Sequence, residues 1–508
     1  MTATASRHLR RRSMPRAADQ ILTVAQMRGA EDALIASGTS VDALMRTAGR
    51  GAADYVWRIA AHRRVTVLCG PGNNGGDGYV IAEAIRERGG RVTVIAATEP
   101  KTTAARTARA LYQGDVLGPD ADPQSPDIHG EVLVDCLFGS GLTRPLTDDH
   151  AALLCRLASS HRHAIAIDLP SGVQSDNGML LNQGLPNFEL TIALGAWKFA
   201  HFLMPASAAM GALRLVGIGI EPIAGAASML SQPQLSAPAA DAHKYRRGLL
   251  GVVGGDMPGA ALLACQAAQG TGAGYVKLLG ECFDKLSMSG TWNKLNPARP
   301  ELVEGHVLAI PPDLVVDTAP LAEALEEKRF AALLVGPGLG RHAESSERLV
   351  ITLASQIPAV LDADALMLLG SRFLAERLGP LIATPHDGEL VALERAFGCD
   401  GAGSKPERAA ALARASGMVV VAKGPDTVIA SPHGRIVCAP RASSWLSVAG
   451  TGDVLAGAIA SRLACGSDAF EAACEGVWLH SEAARLSLPG FSAGQLAGAL
   501  RQAYATSL

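Results

Sequence analysis

Short apolar runs without polar alternation recur along this chain, each followed by a turn bearing glycine or aspartate and then by a stretch of helical periodicity. In the first half they fall at 65–69, 92–96, 132–136, 164–168 and 191–194; in the second at 249–253, 275–279, 333–335, 360–362, 381–384 and 419–422. A strand with one wet face alternates apolar and polar residues, so runs that are apolar throughout mark strands buried on both faces, in parallel sheets covered by helices. The fold class is therefore α/β, and the rhythm occurs twice. Composition fits this reading: 48% of residues are hydrophobic but only 4% aromatic, so Ala, Val, Leu and Ile fill the interior and 55 glycines punctuate it.

A chain of 508 residues exceeds one ordinary core. We place one domain over residues 21–222 and a second over 243–508, joined by a linker at 223–242 that is rich in Ala, Ser, Pro and Gln, with Pro233 and Pro238 discouraging regular structure. Residues 1–20 read as a disordered arm or a misplaced start ahead of Met14; Arg7, Arg10, Arg11, Arg12 and Arg16 lack the apolar core of a secretory signal. Thr23 and Gln26 have capping-box spacing at the start of a first helix, and a second follows Ser40 with Leu44, Met45, Ala48 and Ala52 on one face. Residues 281–305 are polar, contain Pro297 and Pro300, follow neither period, and read as a surface insertion.

The net charge of −3 offers no field for a phosphate backbone, so nucleic acid is not an expected partner. No apolar run approaches the roughly 20 residues that span a bilayer. Nine cysteines stand singly, among them Cys69, Cys136, Cys265 and Cys438, without a CxxC pair, which argues against a zinc cage or a disulfide framework and for the cytoplasm.

Residues 70–78 read Gly-Pro-Gly-Asn-Asn-Gly-Gly-Asp-Gly, between a strand and a helical pattern beginning near Tyr79. Such a turn lets backbone amides approach a ligand and allows positive φ, and a helix N-terminus favours an anion, so it reads as a phosphate site or as a purely structural turn. It has neither the Lys-Ser/Thr ending of a Walker loop nor the spacing of a dinucleotide fingerprint. Asp135 leads into the loop at 139–145, and Asp168 into Leu169-Pro170-Ser171-Gly172; ligands of open parallel sheets gather at such strand ends. With Asn74 and Ser171, these carboxylates either hold a hard cation or position a base, or they simply cap helices.

In the second half, Ala449-Gly450-Thr451-Gly452-Asp453 enters a helix, an arrangement suited to phosphate, with Asp453 placed to take a proton from a hydroxyl that attacks phosphorus. Lys423-Gly424 with Thr427, Gly336 to Gly340, Asp362 with Asp364, and Thr384-Pro385-His386 each follow a strand. Singly, each is an ordinary turn; together they describe a shared cleft. From the residues alone the chemistry stops at phosphoryl transfer to a hydroxyl.

Over residues 21–221 the chain resembles the epimerase domain of the bifunctional NAD(P)H-hydrate repair enzymes, on GPGNNGGDG, VDCLFGSGLTRP and AIDLPSGV. Over 243–500 it resembles their ADP-dependent dehydratase domain, a member of the ribokinase-like superfamily, on His243-Lys244-Tyr245, Pro258-Gly259-Ala260-Ala261, the Gly336 to Gly340 turn, LDADA at 361–365, Thr384-Pro385-His386, Lys423-Gly424 and the Gly450 to Asp453 turn. The resemblance implies a Rossmann-like three-layer domain followed by a ribokinase-like one. It implies epimerisation of the (R) and (S) hydrates of NADH and NADPH (NADHX and NADPHX), and dehydration of the (S) form with ADP and Mg2+, releasing AMP and phosphate.

By the same resemblance Asn74, Asp135 and Ser171 would hold K+. Asn73, Asn74, Gly75, Gly76, Asp77, Gly139, Ser140, Gly141, Leu142, Thr143, Arg144, Pro145 and Asp168 would contact the hydrate in the epimerase, with Asp168 as acid/base. In the dehydratase Ala260, Gly338, His386 and Asp453 would contact it, Asp453 being catalytic, while Lys423, Gly424, Pro425, Asp426, Thr427 and Gly452 would hold the nucleotide. A homo-oligomer is expected. The chain departs from the family pattern in a short run from Gly254 to Pro258, in lacking Asn-Pro ahead of the Gly-Thr-Gly-Asp turn, and in having Asp387 where proline is common. Two rival readings are a small-molecule kinase, which the first domain argues against, and an RNA-handling scaffold, which need not keep Asn74, Asp135 and Asp168.

Overall fold

A computed structural model describes residues 16–122, 125, 128, 130–280, 310–374 and 377–508. The proposed insertion at 281–305 and the first fifteen residues of the proposed arm lie outside the described residues. The chain divides into two compact units, Met1–Met229 and Leu230–Leu508. Within the stretch read as a linker, Ala227–Met229 forms a short strand antiparallel to Gln20–Ile21.

The first unit is built on a seven-stranded sheet, parallel throughout, in the order Val116–Leu117, Val92–Ala96, Val65–Cys69, Gly130–Cys136, His161–Ile167, Leu190–Leu194, Ala212–Val216. Its central strands are buried on both faces where helices cover them: Val65–Cys69 and Leu190–Leu194 are buried at every position, as are residues 132–136 and 164–167. Val65, Val67, Cys69, Val132, Val134 and Cys136 pack against helices Val41–Ala60 and Asn73–Glu87, whereas Leu68 and Leu133 point the other way to Leu153, Leu154 and Leu157 of helix Asp148–Ser160. The strand order reverses beside Val65–Cys69: its chain successor lies on one side and Gly130–Cys136 on the other. Such a reversal opens a crevice at the carboxyl ends, and the 70–78 and 137–145 segments leave from those two strands.

In the second unit the strands run Ile436–Cys438, Val428–Ala430, Val419–Ala422, Leu381–Ala383, Ala359–Leu361, Phe330–Val335, Leu249–Val253, Tyr275–Leu279, Val315–Asp317. The first two are antiparallel additions to a parallel core. Helices Pro258–Gly270, Thr451–Ala464 and Ala469–Leu486 cover one face through Ala261, Ala264, Leu455, Ile459 and Val477. The reversal falls between Leu249–Val253 and Phe330–Val335, and the turns after them meet: Met257 N–H donates to Gly338 O at 3.0 Å.

Several strand limits shift by one to three residues from the sequence reading, and one helix boundary differs in a way that matters for the first cleft. The helix expected near Tyr79 starts at Asn73, so Asn73 to Asp77 form its opening turns instead of a loop. None of the five glycines at 70–78 adopts positive φ. What they supply is closeness: a Cβ on Gly75 would overlap Gly70 O, so only glycine lets the helix begin this near the strand it follows.

Candidate functional site

At the carboxyl edge of the first sheet, Asp135 is fully buried within its strand. Its Oδ1 accepts from Ser171 Oγ at 2.7 Å and Leu137 N at 3.0 Å, and its Oδ2 from Ser171 N at 2.9 Å. Burial pushes the Asp135 carboxyl up to about 6 despite these donors. Among the described residues, the amide oxygen and nitrogen of Asn74 are shielded from solvent without a hydrogen-bond partner. Such a buried amide is suited to bind a water or an ion.

Asp168 stands just past strand His161–Ile167 with φ +66, an uncommon conformation for a residue with a side chain. Its Oδ2 accepts from Ser140 N at 2.8 Å, and its Oδ1 lies 2.5 Å from Lys198 Nζ. Burial alone would raise its pKa; the Lys198 ammonium and the hydrogen bonds from Lys198 and Ser140 outweigh it and hold the carboxyl below its ordinary value. A Cβ on Gly139 would sit 2.9 Å from Asp168 Oδ2 and 3.2 Å from Asn74 Cγ, so the two side chains flank the same glycine. Asp77 is also buried, and burial, then the charges of Asp168 and Glu31, push its carboxyl well up. The cleft thus brings together a carboxyl whose pKa is lowered and one whose pKa is raised, the divergence that suits base and acid roles. Asn73, Gly141, Thr143, Arg144 and Pro145 form the exposed rim, and buried Leu142 anchors it.

In the second unit, Lys423 Nζ lies 2.6 Å from Asp362 Oδ1 and 3.9 Å from Glu389 Oε2, and Thr384 Oγ1 donates to the same Asp362 oxygen at 2.6 Å. Burial opposes the charge on Lys423, but Asp362 and Glu389 reverse that and its pKa is raised. A Cβ on Gly452 would lie 3.7 Å from Lys423 Nζ, which brings the Gly-Thr-Gly-Asp turn to this lysine. Asp453 follows in the first turn of helix Thr451–Ala464; burial and Asp362 push its carboxyl up to about 6 against the pull of Lys423.

His386 caps helix Asp387–Ala396, its Nδ1 accepting from Gly388 N and Glu389 N at 3.0 and 3.2 Å, while the rest of the ring is exposed. Thr427 Oγ1 closes the Gly424 turn, donating to Gly424 O at 2.8 Å. The Asp426 carboxylate is engaged by Lys405 at 2.7 Å, and Gly424 and Pro425 are exposed. Gly338 is buried and meets Met257, whose carbonyl accepts from Ala260 N at 3.2 Å.

With these two clefts described, comparison with known proteins gives the following. The family described as NAD(P)H-hydrate dehydratase matches residues 250–504, and that described as YjeF-related protein N-terminus matches residues 41–200. The bifunctional NAD(P)H-hydrate repair enzyme Nnr of Gloeobacter violaceus is 32% identical over 499 residues, covering 91% of this chain and 92% of that relative. The chain belongs to the bifunctional NAD(P)H-hydrate repair enzyme family. The Salinibacter ruber member is 33% identical over 506 residues, covering 91% of each chain. A solved structure, the ADP/ATP-dependent NAD(P)H-hydrate dehydratase from Bacillus subtilis co-crystallised with ATP/Mg2+, is 28% identical and covers 54% of this chain and 95% of that one, with a TM-score of 0.44.

Three groups in this repair-enzyme chain escaped the sequence reading. Lys198 and His201 lie in a segment without a glycine-rich or acidic signature, and Glu31 lies on helix Val24–Ala36, far from every motif. A buried lysine four residues past an apolar strand was the available signal: Lys198 is 1% exposed, and a lysine so placed needs an anion. Among the described residues, no helix is long and apolar enough to cross a membrane.

Proposed function

We propose that the chain repairs hydrated nicotinamide cofactors in two steps, the first unit interconverting the (R) and (S) hydrates and the second dehydrating the (S) hydrate with ADP. The observation that carries this reading is the joint presence of two clefts in a chain related over nine-tenths of its length to bifunctional repair enzymes. The substrates are NADHX, NADPHX and ADP, and the enzyme acts in the cytoplasm as a homo-oligomer.

The hydrated carbon bears a hydroxyl and adjoins the ring nitrogen, so its configuration is lost once either bond opens. Such chemistry needs a group to protonate what leaves and a group to deprotonate what enters. Asp168, its pKa lowered, is the base, and Asp77, its pKa raised, stands near it as the candidate acid; the rim from Gly139 to Pro145 with Asn73, Gly75 and Gly76 receives the cofactor. The unsatisfied Asn74 amide and the buried Asp135 carboxyl, whose hydrogen-bond donors among the described residues are the neutral groups of Ser171 and Leu137, fit a monovalent cation. Asn74, Asp135 and Ser171 would hold K+, and the ion would supply fixed positive charge to the cleft.

In the second unit Asp453 takes the hydrate's hydroxyl proton as that oxygen attacks the β-phosphorus of ADP and the bond to AMP breaks. The ring nitrogen then expels phosphate, a far better leaving group than hydroxide, and loss of the neighbouring ring proton restores the reduced cofactor. Lys423, Gly424, Pro425, Asp426, Thr427 and Gly452 hold the nucleotide; Ala260, Gly338 and His386 line the hydrate side. Asp362 and Asp453 are the carboxylates that would hold Mg2+ brought with the nucleotide, and the ion would supply neutralisation of phosphate charge.

Incubating the purified chain with mixed hydrate epimers, ADP and Mg2+ should restore reduced-cofactor absorbance fully, with AMP formed in proportion. Recovery that stops at the (S) fraction would refute the epimerase half; ADP formed from ATP with an alcohol, and no response to hydrate, would favour a kinase.

A further inference from the structure

Asp168 and Lys198 follow neighbouring parallel strands, His161–Ile167 and Leu190–Leu194, and are joined twice. Through side chains, Lys198 Nζ donates to Asp168 Oδ1 at 2.5 Å and to Leu194 O at 2.6 Å. Through His201, Lys198 N–H donates to Nδ1 at 2.9 Å, and Nε2 lies 2.8 Å from Asp168 O. With Nδ1 accepting, the ring proton sits on Nε2 and donates to Asp168 O; the imidazole is neutral, since burial and Lys198 push its pKa down to about 4. Both residues are 1% exposed.

We propose that Lys198, assisted by His201, is a positioning residue for epimerisation, holding the Asp168 carboxylate with Oδ1 engaged and Oδ2 turned to the Gly139 to Ser140 turn. This rests on the reading of Asp168 as the acid/base. The clasp also explains how a non-glycine residue keeps φ +66: the Asp168 peptide is pinned by Ile192 O, which accepts from its N–H at 2.7 Å, and by His201 at its carbonyl. The groups that face Asp168 are Lys198 and His201, Asp77 from helix Asn73–Glu87, and Glu31 from helix Val24–Ala36, with Arg28 and Asp32 beside Glu31. Lys198 is the cation within the clasp itself, with the carboxyls of Asp77 and Glu31 facing Asp168. Without it burial would push the Asp168 pKa upward, and the carboxylate would lose the partner that fixes its Oδ1.

The test follows (R)-to-(S) conversion by the full chain without ADP, separating the epimers chromatographically across pH. Lys198→Met should move the acid limb of kcat/KM up by about 1–3 pH units, with activity returning on the alkaline side. Lys198→Arg should keep the parental limb, and His201→Phe should lower kcat while KM and the limb stay. A parental thermal unfolding transition of the first unit reports that it is folded, and ADP-dependent dehydration of the (S) hydrate reports the same of the second. Should Lys198→Met fail to fold, Asp168→Asn and Asp168→Asn/Lys198→Met decide: equal residual rates support positioning through Asp168, and a further loss in the double variant overturns it. A parental limb and parental kcat in Lys198→Met also overturn the proposal. Undiminished turnover in Asp168→Asn is a separate failure, of the acid/base reading itself.

Discussion

Lys423 Nζ sits 2.6 Å from Asp362 Oδ1 although the strand Leu381–Ala383 runs between the strands that carry them. The pair spans that strand's end, where Thr384 Oγ1 binds the same oxygen. Three successive strand ends are thereby tied at the cleft proposed to receive the nucleotide.

Removing one partner should therefore cost stability as well as activity. Asp362→Ala leaves a largely buried ammonium without its main anion, and we expect a loss of about 3 kcal/mol by urea unfolding. Lys423→Met in that background should recover most of it, because the uncompensated charge is gone. A single variant as stable as the parent would show that Glu389 alone suffices.

Much of this architecture was legible because doubly buried strands leave an unmistakable pattern. The runs at 65–69, 92–96, 249–253, 275–279 and 419–422 match the observed strands residue for residue. Edge strands such as Val116–Leu117 and Val315–Asp317 were missed because two or three residues hold no periodicity. Asp168 and Asp453 were visible as acids at strand or helix ends, whereas Lys198, His201 and Glu31 were not. Their function depends on what tertiary packing places opposite them, and a single sequence carries no record of that.

Asp453 supplies a pH signature. Burial first, then Asp362, raises its carboxyl to about 6. As a base it works only when ionised, so kcat/KM for dehydration should be full above that value and fall as pH drops through about 6. Ordinary aspartate would hold its activity to much lower pH. Asp453→Asn should slow dehydration by about 100- to 10,000-fold and leave epimerisation untouched. A flat profile from pH 5 to 8 would remove Asp453 from the base role.

The tight start of helix Asn73–Glu87 separates two glycines that look alike in sequence. A Cβ on Gly75 meets backbone at Gly70, which cannot swing aside, while one on Gly72 meets nothing within 4 Å. Gly75→Ala should lower stability by about 3 kcal/mol and suppress epimerisation; Gly72→Ala should change either only slightly. Equal effects in thermal unfolding and turnover would contradict the close approach.

Asn74 carries the last expectation. Among the described residues its amide is shielded and without a hydrogen-bond partner beside Gly139, across which lies Asp168, and Asp135 is a buried carboxyl whose donors are neutral. If K+ completes this constellation, replacing it with tetramethylammonium, which is too large to enter, should reduce epimerisation, and K+ should restore it. Binding to the folded chain alone also stabilises it, by about 2.7 kcal/mol at a hundredfold excess over Kd, so unfolding should move upward with K+ where no substrate is present. Asn74→Ala should abolish both responses, while dehydration by the second unit stays indifferent to the variant. A K+ response in unfolding that survives Asn74→Ala would place the ion elsewhere, and the unpaired amide would then belong to a buried water.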